Sequence, residues 1–362
     1  MAETAEHAGL RKSALVVGAS GIAGSAIVER ITKQDGWDIA GLSRTPTAHG
    51  NSRHIRADLS SPDSLTQALA DERPTHVFFT AWSRQATEKE NIAVNAGMLR
   101  NVLAALAHAP VEHVALMTGL KHYIGPFEAY GLGQMPDTPF VEDEPRLPVD
   151  NFYYAQEDEL VAAAERQGFR WSVHRAHTVV GHAVGNAMNM GLTLAAQATI
   201  CRKLGRPFVF PGSETQWNGL TDMTDGSLLA EHMIWAATTP AAANEAYNIV
   251  NGDVFRWRRM WPKLASYFRV EPEGFNGDPR PLVEQMRGAD KIWATIADEH
   301  SLQERDLRRV ASWWHTDADL GRNFEALADM SKSRLAGFTG YRRTEDSFLG
   351  LFDRYRSDGV IP

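Results

Sequence analysis

A single cysteine, Cys201, stands among the 362 residues. It excludes an internal disulfide, a dithiol redox pair and a cysteine-rich metal site, and it suits a reducing cytoplasm. Long apolar runs are missing as well: no stretch of roughly 18 apolar residues is there to span a bilayer, and no membrane partner is expected. Residues 1–12 are polar and lack the apolar centre of a signal peptide, so residues 1–11 read as a flexible leader. Clustered positive charge is absent too. Lys and Arg number 37 against 45 Asp and Glu, for a formal net charge of -8, and the cations are scattered. That gives no footprint for a polyphosphate backbone, and nucleic acid is not expected as a partner. There is no G-x-S-x-G elbow and no Ser/His/Asp order to support a hydrolase. His174 and His177 lie three apart but straddle a strand end without a carboxylate or thiol at ligand spacing, so no metal is expected.

What is present is a chain that is 43% hydrophobic, enough for a large core in one long α/β domain with a C-terminal lobe, or in two domains. Apolar runs of strand length alternate with helical-period segments through the first half, the pattern of right-handed βαβ units in a parallel sheet. Strands are expected at 14–18, 37–42, 54–56, 75–80, 113–118 and 171–175, and helices at 22–31, 62–70, 88–107 and 151–167. The long helix follows from Ile92, Met98, Leu99, Val102, Leu103 and Leu106, which recur at three- and four-residue spacing. Residues 122–150 hold Gly125, Pro126, Gly131, Gly133, Pro136, Pro139, Pro145 and Pro148, which punctuate a long loop. Loops of that length inside a compact domain are usually functional. After a Gly and Pro stretch at 205–212, helices are expected at 226–238 and 257–268.

Gly18, Gly21 and Gly24 give the spacing G-x-x-G-x-x-G between the first expected strand and its helix. There a dinucleotide pyrophosphate can approach the backbone and meet a helix N-terminus, although glycines also serve where a strand and helix merely pack closely. The fold expected is therefore α/β: a Rossmann-type doubly wound parallel sheet over 12–185, with a smaller, mostly helical C-terminal substrate lobe over 186–362, some of whose segments return to the sheet. An enzyme that uses NAD usually ends its second strand in Asp or Glu, whereas here the strand runs into Ser43 and Arg44. A carboxylate would repel a 2'-phosphate; the Arg44 guanidinium beside the Ser43 hydroxyl suits one, which favours NADPH. An ordinary surface arginine would satisfy the same position. Asp58 is placed either to meet the adenine edge or to cap the helix that begins near Pro62.

Short-chain reductases carry Tyr four residues before Lys on one helix, so that the ammonium lowers the phenol pKa and holds the nicotinamide ribose. No Tyr-x-x-x-Lys exists here: the tyrosine at the start of the helix after the long loop is Tyr153, and four residues on stands Glu157. Of the eight lysines only Lys121 follows directly on an expected sheet strand, at the carboxyl end where α/β sheets bind ligands. Lys121 is the expected substitute cation, although a lysine at a strand end is more often solvent-facing.

The segments Thr118-Gly-Leu-Lys121-His-Tyr-Ile-Gly-Pro-Phe-Glu128 and Asn151-Phe-Tyr153-Tyr-Ala-Gln-Glu-Asp158 resemble those of the progesterone 5-beta-reductase and iridoid synthase family, an atypical branch of the extended short-chain dehydrogenases. Similar segments run in order over about residues 14–270: Val17 to Gly24, Trp82, Thr87 to Asn91, Pro139 to Asp143, Ser172 to Arg175, Phe210 to Ser213 with Trp217, and Asn251 to Phe255. The resemblance implies NADPH, a catalytic pair of Lys121 and Tyr153, and 1,4-reduction of a carbonyl-conjugated double bond. Hydride would pass to the β-carbon of an enone or enal while Tyr153 and Lys121 stabilise the oxygen where negative charge develops. The cofactor contacts expected on this reading are Gly18, Ser20, Gly21, Ile22, Gly24, Ser43, Arg44, Asp58, Leu59, Thr80, Ala81, Trp82, Thr118, Lys121, Tyr153, His177 and Val179. Trp82, Phe127, Tyr153, Met188 and Trp217 are expected to line an apolar pocket for a small carbonyl substrate, although each aromatic is equally explained as core.

The chain also departs from that pattern. After Arg175 the family has Pro and then a Phe-Ser-Pro-type run, but here Ala176 to Asn189 stand in their place and bring in His177 and His182. Either histidine is a candidate to protonate an enolate; either is also an ordinary structural hydrogen-bond partner. Direct carbonyl reduction, and an NADPH-binding sensor without turnover, are the competing readings, and homodimerisation stays open.

Overall fold

The computed structural model describes residues 11–45, 52–126 and 137–362. In chain order its first half runs β1 (Lys12–Val17), α1 (Ile22–Ile31), β2 (Trp37–Ser43), β3 (Arg53–Arg56), α2 (Pro62–Leu69), β4 (His76–Phe79), α3 (Glu88–Ala105), β5 (His113–Gly119), α4 (Lys121–Ile124), α5 (Phe152–Gln167) and β6 (Arg170–Ala176). There follow β7 (Val179–Val180), α6 (Met190–Leu204), β8 (Phe208–Val209), α7 (Glu214–Asn218), β9 (Thr224–Asp225), α8 (Gly226–Thr238), β10 (Glu245–Ile249), α9 (Trp257–Phe268) and β11 (Pro272–Glu273). The chain ends in α10 (Leu282–Gln285), α11 (Ala289–His300), α12 (Leu307–Val310), α13 (Trp313–Leu320), α14 (Ser331–Leu335) and α15 (Thr344–Ser357).

Seven strands form one sheet in the order β10-β6-β5-β4-β1-β2-β3, and β1 pairs in parallel with both β2 and β4, as β2 does with β3 and β4 with β5. Order reverses at β1, the arrangement of a doubly wound Rossmann-type sheet. The expected doubly wound α/β sheet is thus found. Local chemistry accounts for the helix starts. Ser61 caps α2 ahead of Pro62, and at α3 Thr87 and Glu90 form a reciprocal capping box. Asn189 accepts from the Leu192 N–H to start α6, and Gly205, at φ 62°, ends it. Among the described residues no helix is long and apolar enough to cross a membrane.

Two compact units divide the chain. The first takes in residues 1–117, 152–173 and 233–245, and the second residues 118–151, 174–232 and 246–362. In the first, β4 is buried along its length and β1 from Ala14 onward, with the Ile27, Val28 and Ile31 face of α1, and α3 packs along α5. In the second, α6 packs against α9, α11 and α15 around Trp257, Trp261, Trp293 and Phe352, all fully buried. Cys201, on α6, lies in that core as a free buried thiol.

Candidate active site

The glycine-rich turn belongs to the first unit. Gly18 follows β1 at φ 86°, a left-handed conformation that suits glycine, and a Cβ there would stand 2.9 Å from the Ala81 nitrogen and 3.0 Å from the Thr80 hydroxyl. Gly24 is more constrained still, because a Cβ would lie 2.2 Å from the Gly18 carbonyl oxygen. The turn is held by Gly18 and Ala19 N–H groups donating to the Leu42 carbonyl and by the Gly21 N–H donating to that of Gly18. Thr80 anchors the neighbouring strand end, donating through both its N–H and its hydroxyl to the Val17 carbonyl. Ser20 is exposed, and Gly21 enters α1 without a side-chain cap, so the first N–H groups of α1 are available to an anion. The expected contacts Gly18, Ser20, Gly21, Ile22, Gly24, Thr80 and Ala81 therefore gather at one turn that can cradle a pyrophosphate.

At the end of β2, Ser43 is buried and its hydroxyl donates to the Thr45 carbonyl at 2.5 Å, with His54 Nε2 at 3.1 Å. Arg44 beside it is exposed and makes no side-chain bond among the described residues. Asp58 does not cap α2, a task that Ser61 performs; its carboxylate accepts from the Ser60 N–H in a tight turn just upstream, and the next residue, Leu59, offers its carbonyl to Asn101.

Tyr153 stands in the first turn of α5. Its ring lies 4.2 Å from that of Phe152, which stacks on Trp82 at 6.0 Å, so two of the expected pocket aromatics meet through a third. The Phe152 N–H at the head of α5 donates to Glu88 at 2.7 Å, and the other Glu88 oxygen accepts from Asn91 at 2.9 Å. Burial, with the Glu88 carboxylate adding to it, pushes the Tyr153 phenol well above its ordinary value. At neutral pH the group is a protonated donor.

In the second unit Lys121 opens α4, a single helical turn where the sequence led us to expect the start of a loop. Burial of Tyr123 and Ile124 fixes the turn, and Gly125, at φ 76°, ends it. Thr118, at the end of β5, is buried, and its hydroxyl has no hydrogen-bond partner among the described residues. The Lys121 carbonyl accepts from Asn151 Nδ2 at 2.7 Å. Below it the Tyr123 hydroxyl donates to Asn248 at 2.7 Å and accepts from Arg175 at 3.1 Å; burial pushes this phenol up to about 12. Phe127, expected in the pocket, lies outside the described residues.

His177 takes part in structural hydrogen bonds, one of the readings that the sequence left open. Both ring nitrogens are engaged: Nδ1 faces Asp222 at 2.6 Å, and Arg322 donates to Nε2 at 3.1 Å. With both nitrogens engaged, the ring is spoken for. The second Asp222 oxygen accepts from the Ala328 N–H, and Thr178 donates to Asp319 close by. This buried cluster of Asp222, Asp319 and Arg322 escaped the sequence reading, since its members are far apart along the chain and no local spacing joins them. Val179 lies in the short ladder with Thr224. His182 faces Asp358 at 3.0 Å, and Met188 is half-buried beside Asn186, whose side chain accepts its N–H. Trp217 packs against Phe210 at 4.9 Å and so closely over Gly274 that a Cβ there would stand 2.3 Å from its ring.

The sequence pattern of the PRISE-like Rossmann-fold domain matches residues 57–362. The chain belongs to that family. This PRISE-like protein is 39% identical to a 3-oxo-Delta(4,5)-steroid 5-beta-reductase from Arabidopsis thaliana, over 96% of this chain and 93% of the relative. It is 40% identical, over the same shares, to an (S)-8-oxocitronellyl enol synthase from Camptotheca acuminata. Among solved structures its fold is similar to that of a UDP-glucose 4-epimerase from Thermus thermophilus in complex with NAD, with a TM-score of 0.66 and 19% identity over 95% of this chain and 99% of that one. At that identity the likeness speaks to the fold alone.

Proposed function

We propose that this PRISE-like protein is an NADPH-dependent oxidoreductase that reduces the C=C bond of a small, apolar enone or enal in the 1,4 sense. The observation that carries the reading is near full-length similarity to a steroid 5-beta-reductase and to 8-oxocitronellyl enol synthases, and it is supported by the segments around Lys121 and Tyr153, which resemble those of the family's active pair. The glycine turn fits a dinucleotide, since its exposed rim and the free N–H groups of α1 meet what a pyrophosphate requires. Arg44, exposed and unpaired among the described residues, suits a 2'-phosphate.

When bound, the nicotinamide supplies a hydride. The protein's task is then to bind the substrate carbonyl and stabilise the charge that reaches its oxygen as the β-carbon takes up that hydride. Tyr153, protonated at neutral pH, donates to this oxygen, and the Lys121 ammonium supports the same charge. Each such donor is commonly worth ~3–4 kcal/mol, so loss of either lowers turnover on the order of a hundredfold or more. Trp82, Met188 and Trp217 are the apolar residues proposed to face the substrate.

The deciding experiment follows NADPH absorbance with cyclohexenone for the wild type, Tyr153→Phe and Lys121→Met, and identifies the product by NMR. A saturated ketone, with both variants crippled, is the expected result. An allylic alcohol would instead establish carbonyl reduction, and cofactor binding without turnover across a panel of enones would overturn the enzyme reading.

A further inference from the structure

We propose that Asn151 is the positioning residue for Lys121: its side-chain amide, bound to the Lys121 carbonyl, holds the lysine main chain so that the ammonium is presented in one place. The proposal rests on the reading of Lys121 as the active-site cation.

The case begins with how little α4 can hold by itself. It is one turn long, and its N-cap, Leu120, brings no side-chain bond. An isolated turn of that length does not persist in water. Its order comes from bonds made to other segments of the same unit. The Leu120 N–H donates to the Ala176 carbonyl at 3.1 Å, and at the far end the Tyr123 hydroxyl is fixed by Asn248 and Arg175. From outside the turn, Asn151 reaches the main-chain oxygen of the lysine itself. That oxygen takes two donors, the Gly125 N–H at 3.0 Å within the turn and Asn151 Nδ2 at 2.7 Å. Asn151 is 3% exposed, so its amide is committed to protein partners, and loss of the bond leaves the part-buried Lys121 carbonyl with one donor fewer.

The bond has a chemical signature. Only a donor satisfies a carbonyl, so aspartate, with the same shape, sets a carboxylate oxygen, an acceptor, against the Lys121 oxygen. A side chain as long as lysine amplifies a small main-chain shift at its tip, and a misplacement of about 1 Å in a catalytic group can cost on the order of a hundredfold in rate.

The test compares the full-length protein with Asn151→Ala, Asn151→Asp, Lys121→Met, Tyr153→Phe and the doubles Asn151→Ala/Lys121→Met and Asn151→Ala/Tyr153→Phe, at saturating NADPH with cyclohexenone. Amide exchange at Gly125, whose N–H shares the carbonyl, is measured in parallel. We expect Asn151→Ala and Asn151→Asp to lower kcat by about 10- to 100-fold with KM nearly unchanged, to speed exchange at Gly125, and to lower kcat no further once Lys121 is Met. A loss in the Lys121→Met background as large as in the wild type overturns the proposal, as does an unchanged kcat in a folded Asn151→Asp protein. So does coupling to Tyr153→Phe in place of Lys121→Met. Full activity in Lys121→Met removes the catalytic reading of Lys121, and the positioning role falls with it; an inactive Lys121→Met beside a fully active Asn151→Asp sinks the positioning role alone.

Discussion

The Glu88 carboxylate accepts the Phe152 N–H at 2.7 Å, one residue ahead of Tyr153, and so places a negative charge at the N-terminal end of α5 where the helix itself is positive. A helix N-terminus draws a phenol pKa down by favouring its anion; Glu88 opposes that pull. Burial is the larger cause of the raised Tyr153 pKa, and Glu88 the second.

Glu88→Gln keeps an oxygen for Phe152 and removes the charge. The expected outcome is near-wild-type turnover at neutral pH, with the alkaline limb of the kcat profile moved to lower pH, because a cause that raises the phenol is gone. Glu88→Ala strands the Phe152 N–H and should destabilise the fold by about 1–3 kcal/mol, read as a lower Tm in thermal denaturation. An unmoved alkaline limb in Glu88→Gln would separate Glu88 from the chemistry.

Gly24→Ala forces a Cβ to within 2.2 Å of the Gly18 carbonyl, and both partners are backbone. NADPH binding, followed by quenching of tryptophan fluorescence, should be lost or the chain should fail to fold. Gly97→Ala, within α3, meets nothing within 4 Å and should stabilise by up to about 1 kcal/mol through helix propensity. The contrast separates a glycine the turn requires from one the helix merely tolerates.

Arg44→Ala tests cofactor choice. A charge-assisted bond to a 2'-phosphate is worth about 1.5–3 kcal/mol, so kcat/KM with NADPH should fall by roughly 10- to 150-fold while that with NADH changes little. Equal losses with both cofactors would return Arg44 to the status of a surface residue.

His174 and His232 face each other, Nδ1 to Nδ1, at 2.8 Å in a fully buried site, and one must be neutral to accept from the other. Burial holds His174 well below the usual imidazole value and brings His232 down to about 3. In the unfolded chain both take up protons below about pH 6.5. The unfolded state then binds more protons than the folded one, so stability is present at neutral pH and falls as acid is added, by up to ~1.4 kcal/mol per pH unit for each ring. His232→Gln should therefore flatten the decline of Tm between pH 6.5 and pH 4. A slope identical to wild type would show that other groups set the acid limit.

Much of the fold was readable because the relevant signals are local. Ile22 to Ile31 was expected as a helix and is one, with Ile27, Val28 and Ile31 on its buried face, and the helices at 226–238 and 257–268 also stand where their spacing put them. By contrast α6 gave no period to read: every residue from Met190 to Cys201 is buried, so no polar face marks its turn. Helix α4 was hidden in a Gly- and Pro-rich stretch because it is stabilised by residues elsewhere, among them Asn151, Ala176 and Asn248. Lys121 and Tyr153, the proposed pair, are visible as motifs, whereas the hold of Asp222 and Arg322 on His177 is not, since these partners lie 45 and 145 residues away. Local spacing carries no record of such pairings.

The Tyr355 hydroxyl, on the last helix, receives the Ala183 N–H and the Asn189 amide at 3.1 and 2.7 Å, and its ring lies 4.8 Å from His182. Residues 181–189 thus take part of their shape from a side chain some 170 positions downstream. Grafting that stretch alone into a relative would transplant the words without the grammar. A chimera, or a mutant library meant to change what the enzyme accepts, has to carry the end of α15 along with it.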